Sequence, residues 1–363
     1  MSWPEAKAMK ALVLSGGSGT RLRPFSYSMP KQLIPIANKP VLEHVLDNIR
    51  ALRVTEIGLV VGDGAPAITE AIGDGSRFGA RITYIRQDRP RGLADCVRIA
   101  RGFLGDDDFV MYLGDNVLPE GVAEAAARFR AGRPAAQLVV QRVADPRPFG
   151  VAELGEDGTV RRLVEKPRRP RSDLALIGVY FFTAAIHEAV AAIAPSARGE
   201  LEITDAIQWL LSHGAEVRAD EYRGYWKDAG RAEDILECNR RLLGGLATDV
   251  AGQVDAASTV GDQVVIGEGA RLVGSRVEGP AIIGAGTVIE DSHVGPNVAI
   301  GRDCVVRAAR LSDSIVLDGA SISRVSGLYG SIVGRCAVIG PSDHDAAYHR
   351  LVVGDHTRME IAG

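Results

Sequence analysis

The stretch Lys10-Ala11-Leu12-Val13-Leu14-Ser15-Gly16-Gly17-Ser18-Gly19-Thr20-Arg21-Leu22-Arg23 runs from an aliphatic segment through a glycine-rich turn into two arginines. Residues 11–14 read as a buried strand, because a short apolar run bounded by turn residues suits a sheet covered on both faces. The glycines that follow let backbone N–H groups turn inward and approach phosphate oxygens closely, and the hydroxyls of Ser18 and Thr20 add donors. The turn lacks the G-x-x-x-x-G-K-[ST] pattern of a P-loop and the third glycine of G-x-G-x-x-G, so on spacing alone it is also what a structural turn looks like. Its company is more telling: Arg21, Arg23 and Lys31 lie within one short stretch. A polyphosphate needs positive charge spread along its length, which Arg meets with a bidentate fork and Lys with a point charge.

Downstream, residues 57–61, 81–85, 109–113, 137–143 and 177–182 repeat the strand pattern. Amphipathic stretches at 41–52, 93–103 and 203–211 read as helices between several of them. This alternation predicts a Rossmann-like three-layer α/β domain over residues 9–243, with a largely parallel sheet and ligands collecting beyond the carboxyl ends of its strands. The glycine turn after the first strand and Asp115, just past 109–113, both fall on that edge.

Helical periodicity stops near Leu243, and a repeat replaces it. Ile266-Gly267, Ile283-Gly284 and Ile300-Gly301 recur every 17 residues. Within that period Val260, Ile266, Leu272, Val277, Ile283, Ile289, Val294, Ile300, Val306 and Leu311 are spaced by 6, 6, 5, 6, 6, 5, 6, 6 and 5. An aliphatic at about every sixth position, with glycine and small polar residues between, predicts a left-handed parallel β-helix over 258–363, each coil stacking its aliphatics on the next. Residues 244–257 read as a linker.

With 363 residues and 46% apolar content, the chain can bury two cores. Lys plus Arg number 42 against 46 Asp plus Glu, a balance that gives no electrostatic footprint for nucleic acid or an anionic membrane. Cys96, Cys238, Cys304 and Cys336 lie far apart, without the spacing of a zinc site or disulfide framework. Residues 1–8 contain no apolar targeting segment, and the longest apolar run, 174–186, is too short to span a bilayer. These features lead us to expect a cytoplasmic protein.

Gly16-Gly17-Ser18-Gly19-Thr20-Arg21-Leu22-Arg23-Pro24, followed by Pro30-Lys31-Gln32-Leu33-Ile34-Pro35, resembles the signature of the sugar nucleotidyltransferase family. The Lys-Gln-Leu order is similar to its thymidylyl branch. Further likeness lies in Gly92-Leu93-Ala94, Leu113-Gly114-Asp115-Asn116, Phe149-Gly150-Val151, Glu165-Lys166-Pro167, the run 197–205 and Trp226-Lys227-Asp228-Ala229-Gly230. The repeat, ending in Val352-Val353-Gly354-Asp355, resembles the long form of the family. Ser15 and Asp95-Cys96 depart from it, the first where a small apolar residue is usual and the second in a region more often apolar or amide-bearing.

The resemblance implies transfer of a nucleotidyl group from dTTP, or from UTP, to glucose 1-phosphate, with release of pyrophosphate and with Mg²⁺ as cofactor. It assigns Leu14, Gly16, Gly17, Ser18, Gly19, Thr20, Gln87, Gly92 and Asp115 to the nucleotide. Asn116, Gly150, Glu165, Lys166, Arg198 and Trp226 fall to the sugar phosphate, and Asp115 with Asp228 to the metal. Arg21, Lys31, Lys166 and Arg198 become the charge-neutralising catalytic set. Two other readings compete: a non-catalytic nucleotide-sugar-binding regulatory subunit, and an acyltransferase β-helix with His293 as base. The exposed end coils of a β-helix invite a homo-oligomer.

Overall fold

The computed structural model describes residues 9–17, 19–341 and 356; Ser18 and the segment Val352-Val353-Gly354-Asp355 lie outside them. The described chain divides into two compact units. The first takes the residues before Ser18 together with Leu42–Lys227, and the second takes Gly19–Val41 together with the chain from Asp228 onward.

The first unit is built on a nine-stranded sheet. Its strands are β1 (Lys10–Ser15), β2 (Glu56–Val61), β3 (Arg81–Arg86), β4 (Phe109–Leu113), β5 (Ala136–Arg142), β6 (Gly150–Leu154), β7 (Val160–Glu165), β8 (Leu174–Phe182) and β9 (Val217–Glu221). They run in the order β7-β6-β8-β4-β1-β2-β3, with β5 paired to β8 and β9 to β5. β1 lies parallel between β4 and β2, so all its residues after Lys10 are buried. Helices α1 (Val41–Ala51), α2 (Ala65–Ile72), α3 (Leu93–Ile99), α4 (Ala123–Gly132), α5 (Ile186–Ala192) and α6 (Ile203–Ser212) accompany it. One core joins Leu12 and Leu14 of β1, Phe109 and Met111 of β4, Val97 of α3 and Ile207 and Leu210 of α6.

The sheet is mixed rather than largely parallel. β8 runs antiparallel to β4, β5 and β6, and β6 antiparallel to β7. For β6 and β7 the cause is connection length: a parallel pair needs a crossover of a dozen or more residues, whereas these two are joined by a short turn. β6, β7 and β9 carry no apolar run long enough to stand out in the sequence. The 174–186 run, by contrast, contains β8, all nine residues of which are buried, as expected of a strand covered on both faces. No helix among the described residues is long and apolar enough to cross a membrane.

In the second unit, three parallel sheets wrap into a β-helix. Ile266, Ile283, Ile300 and Val316 stack in one sheet, and Leu272, Ile289, Val306 and Ile322 in another. Every aliphatic of the six-residue pattern from Ile266 to Leu311 is at most 1% exposed. The coils begin earlier than the aliphatic pattern implies: Asp249–Val250 and Gln253–Val254, inside the stretch read as a linker, already pair with the coil above. Their side chains are exposed because they end the stack, which is why the pattern does not reveal them. Helix α7 (Ala232–Leu243) belongs to this unit, with Arg240 paired to Asp313 at 2.7 Å. Asn239 accepts from the Ala37 N–H at 2.9 Å, and Asn38 donates to the Ile300 carbonyl at 2.6 Å.

Ile300 is wholly buried in the coil core. We expect Ile300→Ala to destabilise the β-helix by about 2–5 kcal/mol, the usual range for emptying a close-packed site. Denaturant unfolding followed by circular dichroism checks this, and an unchanged transition would contradict the stacked-core description.

Candidate active site

Residues at the carboxyl end of β1 are packed so tightly that side chains are shut out. The Gly114 N–H donates to the Leu14 carbonyl at 2.9 Å. A Cβ on Gly62 would sit 3.1 Å from the Gly16 carbonyl oxygen, and one on Gly16 would sit 3.1 Å from Gln87 Oε1. The departure at Ser15 is structural, since its hydroxyl is buried against Gly114, where a Cβ would come to 2.5 Å. Gly16 therefore meets its neighbours with backbone alone, at the end of the sheet where ligands of open α/β folds generally bind.

Gln87 borders this backbone and is buried. Its Nε2 donates to Asp95 Oδ2 at 3.0 Å, and Asp95, also buried, accepts from Arg98 Nε at 3.1 Å. Burial pushes the neighbouring Cys96 thiol up to about 12. Gly92, at the start of α3, has φ of 103°, and a Cβ there would collide with the Leu201 carbonyl and come within 2.7 Å of its nitrogen. The Ala94 N–H donates to that same carbonyl at 3.0 Å, locking the Gly92 turn to residue 201.

Asp115 stands just past β4, as the strand pattern predicts. Asn116 is buried, and its amide is committed: Nδ2 donates to the Ile177 carbonyl at 2.9 Å and Oδ1 accepts from Trp226 Nε1 at 3.3 Å. Gly178, with φ of 77°, leaves the space this amide occupies. Asn116 thus orients Trp226, which meets Phe149 edge-on at 5.2 Å.

Phe149 leads into Gly150, where a Cβ would lie 3.2 Å from Glu165 Oε2. Glu165 accepts from Thr204 Oγ1 at 3.2 Å and from Arg198 at 3.3 Å, and Lys166 Nζ lies 3.7 Å from it. Lys166 has a left-handed backbone, φ 42°, and its N–H donates to the Phe149 carbonyl at 3.0 Å. Arg198 also pairs with Glu200 at 2.9 Å and lies 3.7 Å from Glu202, which Ser196 holds by a 2.9 Å hydrogen bond. Burial raises the Glu202 pKa. Glu165, Arg198, Glu202 and Asp205 border an open cleft of about 610 Å³.

Thus Gly150, Glu165, Lys166 and Arg198 form one cluster in the first unit, and Leu14, Gly16 and Gln87 another. Arg21, Lys31 and Asp228 belong to the second unit. There Gly19, with φ of 62°, leaves room for Lys31 and Ser26, whose Cβ atoms a side chain at 19 would approach to 3.2 Å. Thr20–Leu22 form a single 3-10 turn anchored by buried Leu22. Arg21 lies 3.7 Å from Asp228, beside Gly230. The Arg23 guanidinium stacks on Tyr27 at 4.8 Å rather than joining them. His293 lies on a coil surface, 3.3 Å from Glu278. Thr204, Glu200 and Glu202 sit inside the recognised run 197–205, but only the fold reveals what they hold.

The sequence profile described as nucleotidyl transferase matches residues 10–244, and one described as the GMPPB C-terminal domain matches 277–359. The chain is 52% identical over 354 residues to a glucose-1-phosphate thymidylyltransferase of Streptomyces antibioticus, an alignment covering 97% of this chain and 99% of the relative. A Streptomyces griseus protein of the same name is also 52% identical, with 98% of this chain and 100% of the relative covered. Among solved structures, a Bacillus anthracis protein described as a glucose-1-phosphate thymidylyltransferase, crystallised with sucrose, superposes with a TM-score of 0.62 at 31% identity, covering 67% of this chain and 98% of its own.

The Gly92 turn offers a direct check. We expect Gly92→Ala to lower stability by about 1–3 kcal/mol, because the added Cβ meets the Leu201 backbone and the backbone is left-handed there. Thermal unfolding measures it, and an unchanged midpoint would contradict the packing.

Proposed function

This chain belongs to the nucleotidyl transferase family, and on that premise we propose that it transfers a thymidylyl group from dTTP to glucose 1-phosphate, releasing pyrophosphate. The observation that carries the reading is the 52% likeness to two thymidylyltransferases, which extends over both compact units.

The chemistry asks little of the protein in the way of covalent or acid–base groups. The second pKa of a phosphate monoester is about 6, so the attacking oxygen of a sugar 1-phosphate is largely ionised at neutral pH and needs no general base. What remains is to bring two polyanions together in line, a matter of positioning and charge neutralisation. In this reading the backbone at Leu14, Gly16, Gly17, Gly19 and Thr20 receives the triphosphate, with Ser18 a further donor by its type. Arg21 and Lys31 stabilise the departing pyrophosphate. Gln87 and Gly92 read the base. Lys166 and Arg198 hold the sugar phosphate, while Glu165 accepts from the sugar hydroxyls beside Gly150.

The donor chemistry suits Mg²⁺, which takes hard oxygen ligands and needs only one or two carboxylates, phosphate and water completing its shell. The family resemblance assigns the ion to Asp115, in the first unit, and Asp228, in the second. When bound, Mg²⁺ would neutralise charge on the phosphate groups.

Purified protein assayed for pyrophosphate release with dTTP, UTP, ATP or GTP against several sugar 1-phosphates tests the proposal. We expect dTTP with glucose 1-phosphate to give the highest kcat/KM, and a preference for a purine nucleotide would overturn the reading. Asp115→Asn and Lys31→Ala should each leave circular dichroism unchanged and lower kcat by about 10²–10³-fold, the scale of losing one charge-stabilising group. Parent-like turnover in either variant would remove that residue from the site.

A further inference from the structure

The base-reading role assigned to Gln87 depends on which end of its carboxamide faces the ligand. A free carboxamide can turn over and exchange donor for acceptor, so by itself it accepts bases with either edge pattern. In this chain that freedom is removed. Gln87 Nε2 lies 3.0 Å from Asp95 Oδ2, and Asp95 is only 1% exposed. A carboxylate offers acceptors alone, so the group facing it has to be the amide NH₂. Asp95 is in turn held by Arg98, whose Nε donates to the other carboxylate oxygen at 3.1 Å. The consequence appears at the opposite end of the amide: Oε1 points at Gly16, where a Cβ would approach it to 3.1 Å.

We propose that Asp95 is a positioning residue that locks the Gln87 carboxamide with its oxygen toward the glycine turn, so that the site presents an acceptor and selects a pyrimidine whose edge carries an imide N–H. Thymine and uracil carry that N3–H, whereas cytosine has a bare N3 acceptor, which would face the amide oxygen lone pair to lone pair. The unusual Asp95 is then part of base selection, and Arg98 is its support. The inference rests on the reading of Gln87 as a base contact, and the test separates the two.

The comparison is dUTP against dCTP with the full-length enzyme, because these nucleotides share sugar and phosphates and differ only in the base edge. In Asp95→Asn, an amide faces an amide and both orientations of Gln87 become satisfied. We expect the kcat/KM ratio of dUTP over dCTP to fall about tenfold or more, the scale of one misplaced polar contact. The change should lie chiefly in the nucleotide KM, with KM for glucose 1-phosphate within about twofold of the parent. A merely structural role would not move the base ratio, so an unchanged ratio overturns the proposal provided that Gln87→Ala does lower it. If Gln87→Ala leaves the ratio and the nucleotide KM unchanged, the base-reading role itself fails, and the inference with it. Should Asp95→Asn not fold, the exchange Gln87→Glu with Asp95→Asn keeps the net charge and restores a donor facing an acceptor, with an oxygen still toward Gly16. Retention of the parent preference in that double variant supports the lock, and its loss overturns it.

Discussion

Close backbone approach at the carboxyl end of β1 is the constraint on which the first unit depends. β1 is hydrogen-bonded on both sides, to β2 and to β4, so where it ends three chain segments converge. Gly16, Gly62 and Gly114 occupy that convergence because a Cβ at any of them would press on a neighbouring backbone or polar side chain. Packing thereby keeps side chains off the backbone at the carboxyl end of β1, the end of an open α/β sheet at which ligands generally bind. The same approach sets Gln87 against Gly16 and leads the chain from β4 into Asp115.

Around that edge, polar side chains are held by others. Asn116 spans the Ile177 carbonyl and the Trp226 indole, Glu165 joins Thr204 to Arg198, and Asp95 joins Gln87 to Arg98. A group held at both ends loses its rotamer freedom during folding rather than on meeting a substrate, which is the physical content of preorganisation. Arg198 illustrates the balance of charge: Glu165, Glu200 and Glu202 surround its guanidinium, fixing its direction while tempering its field.

The β-helix follows a different logic, because each coil contacts only its neighbours and stability accumulates along the stack. Small polar residues stitch the coils between the aliphatic layers: buried Thr287 donates to the Gly301 carbonyl at 2.8 Å and accepts from the Cys304 N–H at 3.0 Å. This unit also holds residues 19–41, through Ala37 to Asn239 and Asn38 to Ile300, so Arg21 and Lys31 depend on its integrity.

The sequence by itself determined what is written in short-range order. The 17-residue repeat is legible because each coil position recurs one period later, and β1 with its glycines is legible because strand and turn are adjacent in the chain. Asp115 is placed correctly for the same reason, lying directly after an apolar strand. Only the tertiary structure decided the antiparallel half of the sheet, since strand direction is set by connection and partner, and an apolar run such as 174–182 reads the same either way. It alone decided that Asn116 supports Trp226, 110 residues away, instead of standing free. It also decided that Asp95, a departure from the family pattern in the sequence, grips Gln87. Hydrogen-bond partners belong to the fold: residue types announce a donor or an acceptor, but which groups meet, and which way an amide must turn, follows only once distant segments are packed together.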